Sequence, residues 1–383
     1  MREFAVVLLV AAIVTYLLTP LLRALATRTQ AMAQPRDRDV HAIPTPRLGG
    51  LAMYGGILAA VFVATVLPAL QRTFVYSQDI LGVLLAGGVI CLLGALDDRF
   101  NLDALTKLTG QIAAAGMMVL FGVQISFFYF PFGDAGTVSL GNDIAVPLTV
   151  LLTVLTINAM NFIDGLDGLL AGVAGIAALA FFAYSYQLSR TGFSDIASAP
   201  TLIAAVLAGS CLGFLPHNFQ PARIFMGDSG SMLIGLMLAA AAVSATGKAD
   251  PQTFASATSL LPLTLPLLVP LAVLAFPLVD LVLAVLRRAR AGRSPFSADK
   301  LHLHHRLLEI GHSHRRAVLI LYLWTMVLAF GAVAMSVFGV SAGVLWLLGA
   351  LLVVAVLVST IPQLRPPRRT PPWAAARHPV ERD

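Results

Sequence analysis

The sequence predicts an all-α integral membrane protein, and its composition and its long apolar runs are the observations that predict it. Of the 383 residues, 58% are hydrophobic and only 11% are charged, whereas soluble domains carry about 25% charged residues. This composition excludes a water-soluble globular enzyme. The net charge of +6 favours a membrane protein with basic loops on one side over a protein that binds nucleic acid.

Eleven segments are apolar enough and long enough to be expected to cross the membrane, since a bilayer core of about 30 Å needs roughly 20 apolar residues per helix. They cover residues 3–25, 49–70, 80–96, 105–123, 144–161, 166–188, 200–215, 230–247, 258–286, 316–338 and 340–362. A signal peptide is the alternative for the first segment, but its basic flank follows the apolar run, which favours a retained helix. A single transmembrane domain is therefore expected over residues 1–362. The Pro- and Arg-rich tail, residues 363–383, is expected to be disordered in the cytoplasm.

Basic residues predict the orientation. When the loops are assigned alternately to two sides, 4 of the 25 Lys and Arg residues fall on one side and 21 on the other. The positive-inside rule puts the larger group in the cytoplasm, so the N-terminus is expected outside and the C-terminus inside. All eight histidines lie on the same predicted side. This favours an active site at the cytoplasmic face over a pump or transporter, which would hold ionisable groups near the midplane.

The first polar cluster is the pair Asp97 and Asp98, at the predicted cytoplasmic end of the third segment, with Lys107 following it. Adjacent carboxylates repel, so one pKa of such a pair tends to rise unless a cation intervenes. This suits a general base or a magnesium-linked group. A solvated helix end is the alternative interpretation.

In the second cluster, between the fifth and sixth segments, polar residues recur every three positions: Asn158, Asn161, Asp164 and Asp167. In a helical or turn conformation this spacing puts them on neighbouring parts of one face. A carboxylate at the centre of a membrane helix costs about 2.5 to 3.5 kcal/mol. The cluster therefore indicates a polar cavity or a bound cation.

The third cluster, residues 225–231, reads FMGDSGS and opens the eighth segment. Free backbone N–H groups at a helix start bind phosphate readily, and Asp228 beside them is expected to hold Mg²⁺. Simple capping of the helix by Asp228 or Ser229 is the alternative.

The fourth cluster lies in the longest predicted cytoplasmic loop, where Arg293 precedes three histidines, His302, His304 and His305. An anion-binding arm is the favoured interpretation. A zinc site and a plain basic amphipathic helix are the alternatives, but no Cys or clustered carboxylate completes a set of four zinc ligands.

Five motifs occur in order over residues 41–305: HxxPTPRLGG, DDRFN, NxxNFIDGLDGL, FMGDSGS and SPFxxDxxHLHH. In these motifs the chain resembles the polyprenyl-phosphate N-acetylhexosamine-1-phosphate transferase family, which includes WecA, TagO and MraY. The resemblance implies a phosphotransferase of the bacterial cytoplasmic membrane. Such an enzyme transfers a sugar 1-phosphate from a UDP-sugar to undecaprenyl or decaprenyl phosphate, releases UMP, requires Mg²⁺ or Mn²⁺, and initiates cell-envelope glycan assembly.

Residue by residue, the resemblance implies three groups of site residues. The catalytic group is Asp97, Asp98, Asp164, Asp167, His302, His304 and His305, with Asp97 as the base for the lipid phosphate. The metal group is Asn161 and Asp228. The substrate-binding group is Asn158, Asn218, Phe225, Lys107, Arg293, His41 and Arg47, and an aromatic face such as that of Phe225 can stack on uracil.

The His-x-His-His order is similar to the N-acetylglucosamine branch of that family, so UDP-GlcNAc is the expected donor. Another UDP-N-acetylhexosamine and UDP-MurNAc-pentapeptide remain alternatives. The expected mechanism is a single displacement, with a two-step route through an aspartyl-phosphate as the alternative. A flippase or transporter of lipid-linked sugars is the alternative of a different class, and a homodimer is left open.

Overall fold

The computed structural model describes residues 1–33, 44–129, 137–190, 198–247, 271–290 and 303–361. These residues form thirteen helices and two pairs of short strands. The helices are α1 (Arg2–Arg28), α2 (Gly49–Val66), α3 (Pro68–Tyr76), α4 (Asp79–Phe100), α5 (Ala104–Leu120), α6 (Asn142–Ile163), α7 (Leu169–Arg190), α8 (Ser198–Asn218), α9 (Gly227–Gly247), α10 (Ala275–Arg290), α11 (Leu303–Glu309), α12 (His314–Phe338) and α13 (Ala342–Thr360).

The all-α membrane fold expected from the sequence is confirmed. Within the described residues, nine helices are long and apolar enough to cross a membrane, namely α1, α2, α4, α6, α7, α8, α9, α12 and α13, and α5 is a shorter apolar helix. These ten coincide with ten of the eleven expected segments. The remaining segment, 258–286, lies partly outside the described residues, and α10 overlaps its second half. The tail 363–383 lies wholly outside them.

One helix boundary differs from the expected one for a clear reason. The segment expected to span residues 49–70 ends at Val66, and α3 starts at Pro68. A residue before proline disfavours the helical conformation, and Leu67 accordingly adopts an extended ψ of 122°. Proline is then well suited to the first turn of the next helix.

Two strand pairs were not expected from the sequence. Strand β1 (Met32–Ala33) pairs antiparallel with β2 (Thr45–Pro46), and β3 (Phe127–Tyr129) pairs antiparallel with β4 (Thr137–Ser139). The first pair matters for the site, because the chain that leaves β2 contacts the start of α9. Phe225 N–H donates to Pro46 O at 2.8 Å, and Gly50 N–H donates to Met226 O at 3.0 Å.

Helix α9 is the centre of the bundle. Its apolar span is 89% buried, against 6% for α13 at the periphery. It packs against α2, α4, α6, α7 and α8. The approach of α4 requires a glycine, because a Cβ at Gly94 would lie 2.3 Å from the backbone nitrogen of Ser229. The start of α9 is therefore held by several helices at once.

Helix directions explain why the polar clusters meet. Helices α4 and α6 end on the side of the bundle on which α2, α5 and α9 begin, because consecutive long helices run in opposite directions. Asp97 and Asn161 lie near the ends of α4 and α6. Arg47 lies just before α2, and Lys107 and Asp228 lie in the first turns of α5 and α9. One end of the bundle thus collects groups that are far apart in the sequence.

Candidate active site

The centre of the site is an ammonium group between two carboxylates. Lys107 Nζ lies 2.6 Å from Asp97 Oδ2 and 3.0 Å from Asp228 Oδ2. The Asp97 side chain is 8% exposed, and those of Lys107 and Asp228 are 29% and 26% exposed. The three groups therefore form a partly buried ion network, which is stronger than a pair on an open surface.

Local structure at the α4–α5 connection brings Lys107 to this position. Asn101 ends α4 in the left-handed region at φ 52°, and Asp103 caps α5 by accepting hydrogen bonds from Leu105 N and Thr106 N, each at 2.9 Å. Asp103 is exposed, and a hydrogen bond from the Thr106 hydroxyl to its Oδ2, at 2.6 Å, followed by the backbone hydrogen bonds, lowers the pKa of its carboxyl group. This tight turn points the first turns of α5 back toward the end of α4.

Asp97 is fully engaged within the chain. Its Oδ1 accepts a hydrogen bond from Leu102 N at 2.7 Å, and its Oδ2 pairs with Lys107. The sequence assigned Asp97 the role of base for the lipid phosphate. The structure places it in the site with a cation beside it, and its role as a base stays a prediction.

Asp98 has a different set of partners, although it is adjacent in the sequence. Its Oδ1 accepts from Asp228 N at 3.0 Å, and its Oδ2 accepts from Ser229 N at 3.2 Å and Ser229 Oγ at 3.1 Å. The side chain is fully buried. Asp98 thus caps α9 from a neighbouring helix, where a carboxylate interacts well with the positive end of the helix dipole.

This geometry corrects one expectation from the sequence. The N–H groups of Ser229, Gly230 and Ser231 were expected to be free for phosphate, but Asp98 accepts that of Ser229 and also that of Asp228. Gly227 allows this contact, because its φ is +70° and a Cβ there would lie 2.2 Å from Asp98 Oδ2. Asp98 therefore positions Asp228 through its backbone, and its assignment as a catalytic residue stays a prediction. Neither Asp228 nor Ser229 supplies the cap by its own side chain.

A second cation and a further carboxylate lie on the other side of Asp98. Arg47 Nη1 is 4.0 Å from Asp98 Oδ1, and both residues act electrostatically on Asp164. The pKa of Asp164 is raised to about 7, chiefly by burial and also by the charges of Asp228 and Asp98, while Arg47 opposes the shift. The acidic cluster consists of the carboxylates of Asp97, Asp98, Asp164 and Asp228. They outnumber the two cations, Lys107 and Arg47, so the cluster attracts a further positive charge.

The amide residues on α6 point at two different partners. Asn161 Nδ2 donates to Ser231 Oγ at 2.8 Å, next to Asp228. Asn158 Nδ2 donates instead to Gln111 Oε1 at 2.7 Å, so it orders the α5–α6 contact. The sequence did not point to Gln111, and it placed Ser231 in the third cluster without revealing its contact with Asn161. Gln111 lies four residues after Lys107, a spacing that shares one helix face, and this signal was available.

Asp167 and Asn218 organise the turn between α6 and α7. Asp167 Oδ2 accepts from Ala222 N at 3.0 Å. Asn218 is 3% exposed, accepts from Gly168 N at 3.1 Å and donates to Ile224 O at 3.0 Å. The expected single face of four residues is therefore divided, because α6 ends at Ile163 and the turn points Asp167 toward the 218–224 loop.

The remaining predicted residues divide into two groups. Phe225 is half-buried beside the start of α9, and its stacking on uracil stays a prediction. Outside the described residues lie His41, Arg293 and His302. His304 and His305 belong to α11, but their side chains are not described. The histidine arm, with its zinc and amphipathic alternatives, therefore stays a prediction.

The side chains at the start of α9 determine whether a divalent cation can bind there. No group of three His, Cys, Asp or Glu side chains in the described ranges is arranged to hold a metal by itself. Mg²⁺ does not need such a cage, since it is usually bound by one or two carboxylates, waters and substrate phosphates. Asp228 offers a carboxylate, and the side chain of Asn161, which contacts that carboxylate by a hydrogen bond, also carries an amide oxygen, so the residues present fit Mg²⁺.

Comparison with known proteins identifies relatives over nearly the whole chain. Residues 80–246 match the family described as "Glycosyl transferase family 4". The chain is 54% identical to a decaprenyl-phosphate N-acetylglucosaminephosphotransferase of Mycobacterium tuberculosis (strain H37Rv), over 95% of this chain and 90% of the relative. It is 52% identical to the protein of the same name from Mycobacterium leprae, over 95% and 92%. It is 34% identical to a probable undecaprenyl-phosphate N-acetylglucosaminyl 1-phosphate transferase of Bacillus subtilis, over 88% and 86%.

Proposed function

The chain belongs to glycosyl transferase family 4, and from that premise we propose that it transfers N-acetylglucosamine 1-phosphate from UDP-GlcNAc to decaprenyl phosphate. The products are decaprenyl-diphospho-GlcNAc and UMP. The observation that carries the proposal is the ion network of Asp97, Lys107 and Asp228 at one end of the bundle. It brings carboxylates for a cation and an ammonium for phosphate to the end of a membrane helix, where a lipid phosphate and a soluble nucleotide can both reach it.

The reaction needs a divalent cation, Mg²⁺ or Mn²⁺, held by Asp228 and Asn161. When bound, such an ion draws charge from the pyrophosphate of the donor and stabilises the charge that develops during phosphoryl transfer. Asp98 supports this site by fixing the backbone of Asp228 through its two hydrogen bonds to the helix start. Loss of these hydrogen bonds would displace the carboxylate of Asp228, the proposed metal ligand.

The cations of the chain itself supply the rest of the charge complementarity. Lys107 and Arg47 lie on the two sides of the acidic cluster and attract the donor and acceptor phosphates to it. Asp97 accepts the proton of the lipid phosphate when that phosphate arrives as a monoanion, and the transfer is a single displacement. Each oxygen of Asp97 has one donor and keeps a further lone pair for that proton, and a two-step route through an aspartyl-phosphate stays the alternative.

The site faces the cytoplasm in this proposal, because most Lys and Arg residues and all eight histidines fall on its side in the topology expected from the sequence. His302, His304 and His305, together with Arg293, then reach the donor from the loop between α10 and α12. Charge-assisted hydrogen bonds from these groups hold the pyrophosphate or the sugar. His41, which precedes Arg47 in the sequence, is proposed to contribute at the same face.

The proposal is tested with purified full-length protein, UDP-GlcNAc labelled in the sugar, decaprenyl phosphate and Mg²⁺. We expect label in the lipid fraction, an equal amount of UMP, and slower transfer with undecaprenyl phosphate. Parallel reactions with UDP-GalNAc and UDP-MurNAc-pentapeptide test the sugar. Movement of a lipid-linked sugar across vesicles without any release of UMP would instead identify a flippase and overturn the proposal.

A further inference from the structure

Lys107 occupies a position that conflicts with a divalent cation at Asp228. Its ammonium lies 3.0 Å from Asp228 Oδ2, the carboxylate proposed to bind the metal. A cation coordinated by that carboxylate would bring two positive groups to one side chain, and like charges at such short range repel strongly in a partly buried site. The ammonium and the metal therefore compete for the Asp228 carboxylate.

A second carboxylate offers the ammonium an alternative position. Asp97 Oδ2 is closer to Lys107 Nζ, at 2.6 Å, than Asp228 Oδ2 is. Asp97 itself is held in place by the N–H of Leu102. A lysine side chain is flexible and has three donors, so it can leave Asp228 and stay bound to Asp97.

The surroundings explain why the ammonium is needed when no metal is bound. The carboxylates of Asp97, Asp98, Asp164 and Asp228 act on one another electrostatically. In the described part of the chain, Lys107 is the cation that contacts two of them directly. Arg47 makes a longer contact with Asp98, at 4.0 Å, and acts on Asp164 electrostatically.

We propose that Lys107 is an exchangeable counterion of the metal site. Its ammonium neutralises Asp228 in the metal-free enzyme, and when the divalent cation binds, it leaves Asp228 and keeps its contact with Asp97. The displaced ammonium is then available to the phosphates that arrive with the metal. This inference rests on the proposed metal site, and it assigns Lys107 a competing role at that site in addition to attracting substrate.

The inference predicts that removal of the ammonium tightens metal binding. Binding of Mn²⁺ to the purified full-length protein, without nucleotide or lipid, is measured by the loss of the free-ion signal in electron paramagnetic resonance. We expect Lys107→Met to lower the Kd for Mn²⁺ about tenfold, which corresponds to about 1.4 kcal/mol. Its thermal midpoint should also rise more steeply with Mn²⁺ than that of the wild type, since a ligand stabilises the state that binds it.

Two control variants separate this role from general charge effects. Lys107→Arg keeps the charge, so its Kd should stay within about twofold of the wild type. Arg99→Met removes one positive charge from the same helix end, but Arg99 is exposed and lies over the ring of Phe100, so its Kd should also stay unchanged. An equal effect of Arg99→Met would identify a long-range charge effect and contradict the exchange.

The result distinguishes the two proposals. If the wild type binds Mn²⁺, Asp228→Asn weakens that binding, and Lys107→Met binds no more tightly than the wild type, the counterion role is wrong and the metal site stands. If the wild type binds no Mn²⁺ that Asp228→Asn can weaken, the metal site is wrong as well. Should Lys107→Met fail to fold without metal, recovery of its folded state by Mn²⁺ at concentrations below the wild-type Kd would support the same exchange, and no recovery at those concentrations would contradict it.

Discussion

Asp97 and Asp98 are neighbours in the sequence, but they contact different parts of the site. Successive residues of a helix point about 100° apart, so Asp97 turns toward Lys107 and Asp98 toward the start of α9. Their shared burial therefore supports two separate interactions. The sequence revealed the pair but not this division, because the partners come from α5 and α9, which are distant along the chain.

The cap formed by Asp98 leads to a prediction for stability. Asp98→Asn replaces a charged acceptor and puts an amide group next to N–H donors, so we expect a loss of about 1 to 3 kcal/mol, typical of a buried charge-assisted interaction. The thermal midpoint of the purified protein should fall, and turnover should fall with it because Asp228 is less well placed. Asp143→Asn, at an exposed position near the start of α6, is the matched control. An unchanged midpoint for Asp98→Asn would show that the cap contributes nothing.

The proposed metal ligand leads to a second prediction. Asp228→Asn should lower turnover of UDP-GlcNAc by at least about a hundredfold at limiting Mg²⁺, since a Lewis-acid ion contributes several kcal/mol to charge stabilisation. The asparagine preserves the shape of the side chain, and its backbone N–H still reaches Asp98. Turnover is measured as UMP release over a range of Mg²⁺ concentrations. A folded variant with wild-type turnover at low Mg²⁺ would rule Asp228 out as the ligand.

The sequence located the residues of the site better than their interactions. The motif spacing pointed to Asn161, Asp164, Lys107 and Asp228, and the structure brings all four to one end of the bundle. The sequence did not reveal that Asn218 is buried, with its amide oxygen and nitrogen both hydrogen-bonded to backbone groups. Such partners depend on where the 218–224 loop passes the α6–α7 turn, which the local sequence does not determine.

The start of α9 is the element on which the site depends, and Gly227 makes its conformation possible. Gly227→Ala would place a side chain at φ +70° and 2.2 Å from Asp98 Oδ2. The left-handed conformation alone costs about 1 to 2 kcal/mol for a residue with a Cβ, so we expect a lower thermal midpoint and weaker Mn²⁺ binding. Thermal unfolding followed by intrinsic fluorescence measures the midpoint, and electron paramagnetic resonance of free Mn²⁺ measures the binding.

Gly116 offers a control for this substitution within α5. A Cβ at Gly116 meets no atom within 4 Å, and alanine is favoured over glycine in a helix by about 0.5 to 1 kcal/mol. Gly116→Ala should therefore leave the midpoint unchanged or raise it. If both variants behaved alike, the geometry at the start of α9 would not be what limits stability.

At the scale of the whole molecule, the helices were predictable and the small sheets were not. A membrane-spanning segment must satisfy its backbone internally, so long apolar runs translate almost directly into helices. Strands of two or three residues, such as Met32–Ala33 and Thr45–Pro46, carry no periodic signal. Their pairing depends on the contact between the chain after β2 and the start of α9.

The orientation of the bundle leads to a topology prediction. In a background in which the buried Cys91 and Cys211 are replaced, Phe100→Cys should react with an impermeant maleimide only from the cytoplasmic side. Arg72→Cys, which lies in the connection between α2 and α4, should react only from the outside. Both positions are exposed. Labelling of Phe100→Cys from the outside of intact cells would invert the proposed orientation.

The central claim is that the sugar is transferred together with its phosphate, and the position of the β-phosphorus of the donor tests it most directly. UDP-GlcNAc radiolabelled at that phosphorus is incubated with decaprenyl phosphate, Mg²⁺ and purified protein, with Asp228→Asn as the inactive control. We expect the label to move into the lipid and the released nucleotide to be unlabelled UMP. Release of the label in UDP, with sugar alone in the lipid, would show that the sugar is transferred without its phosphate.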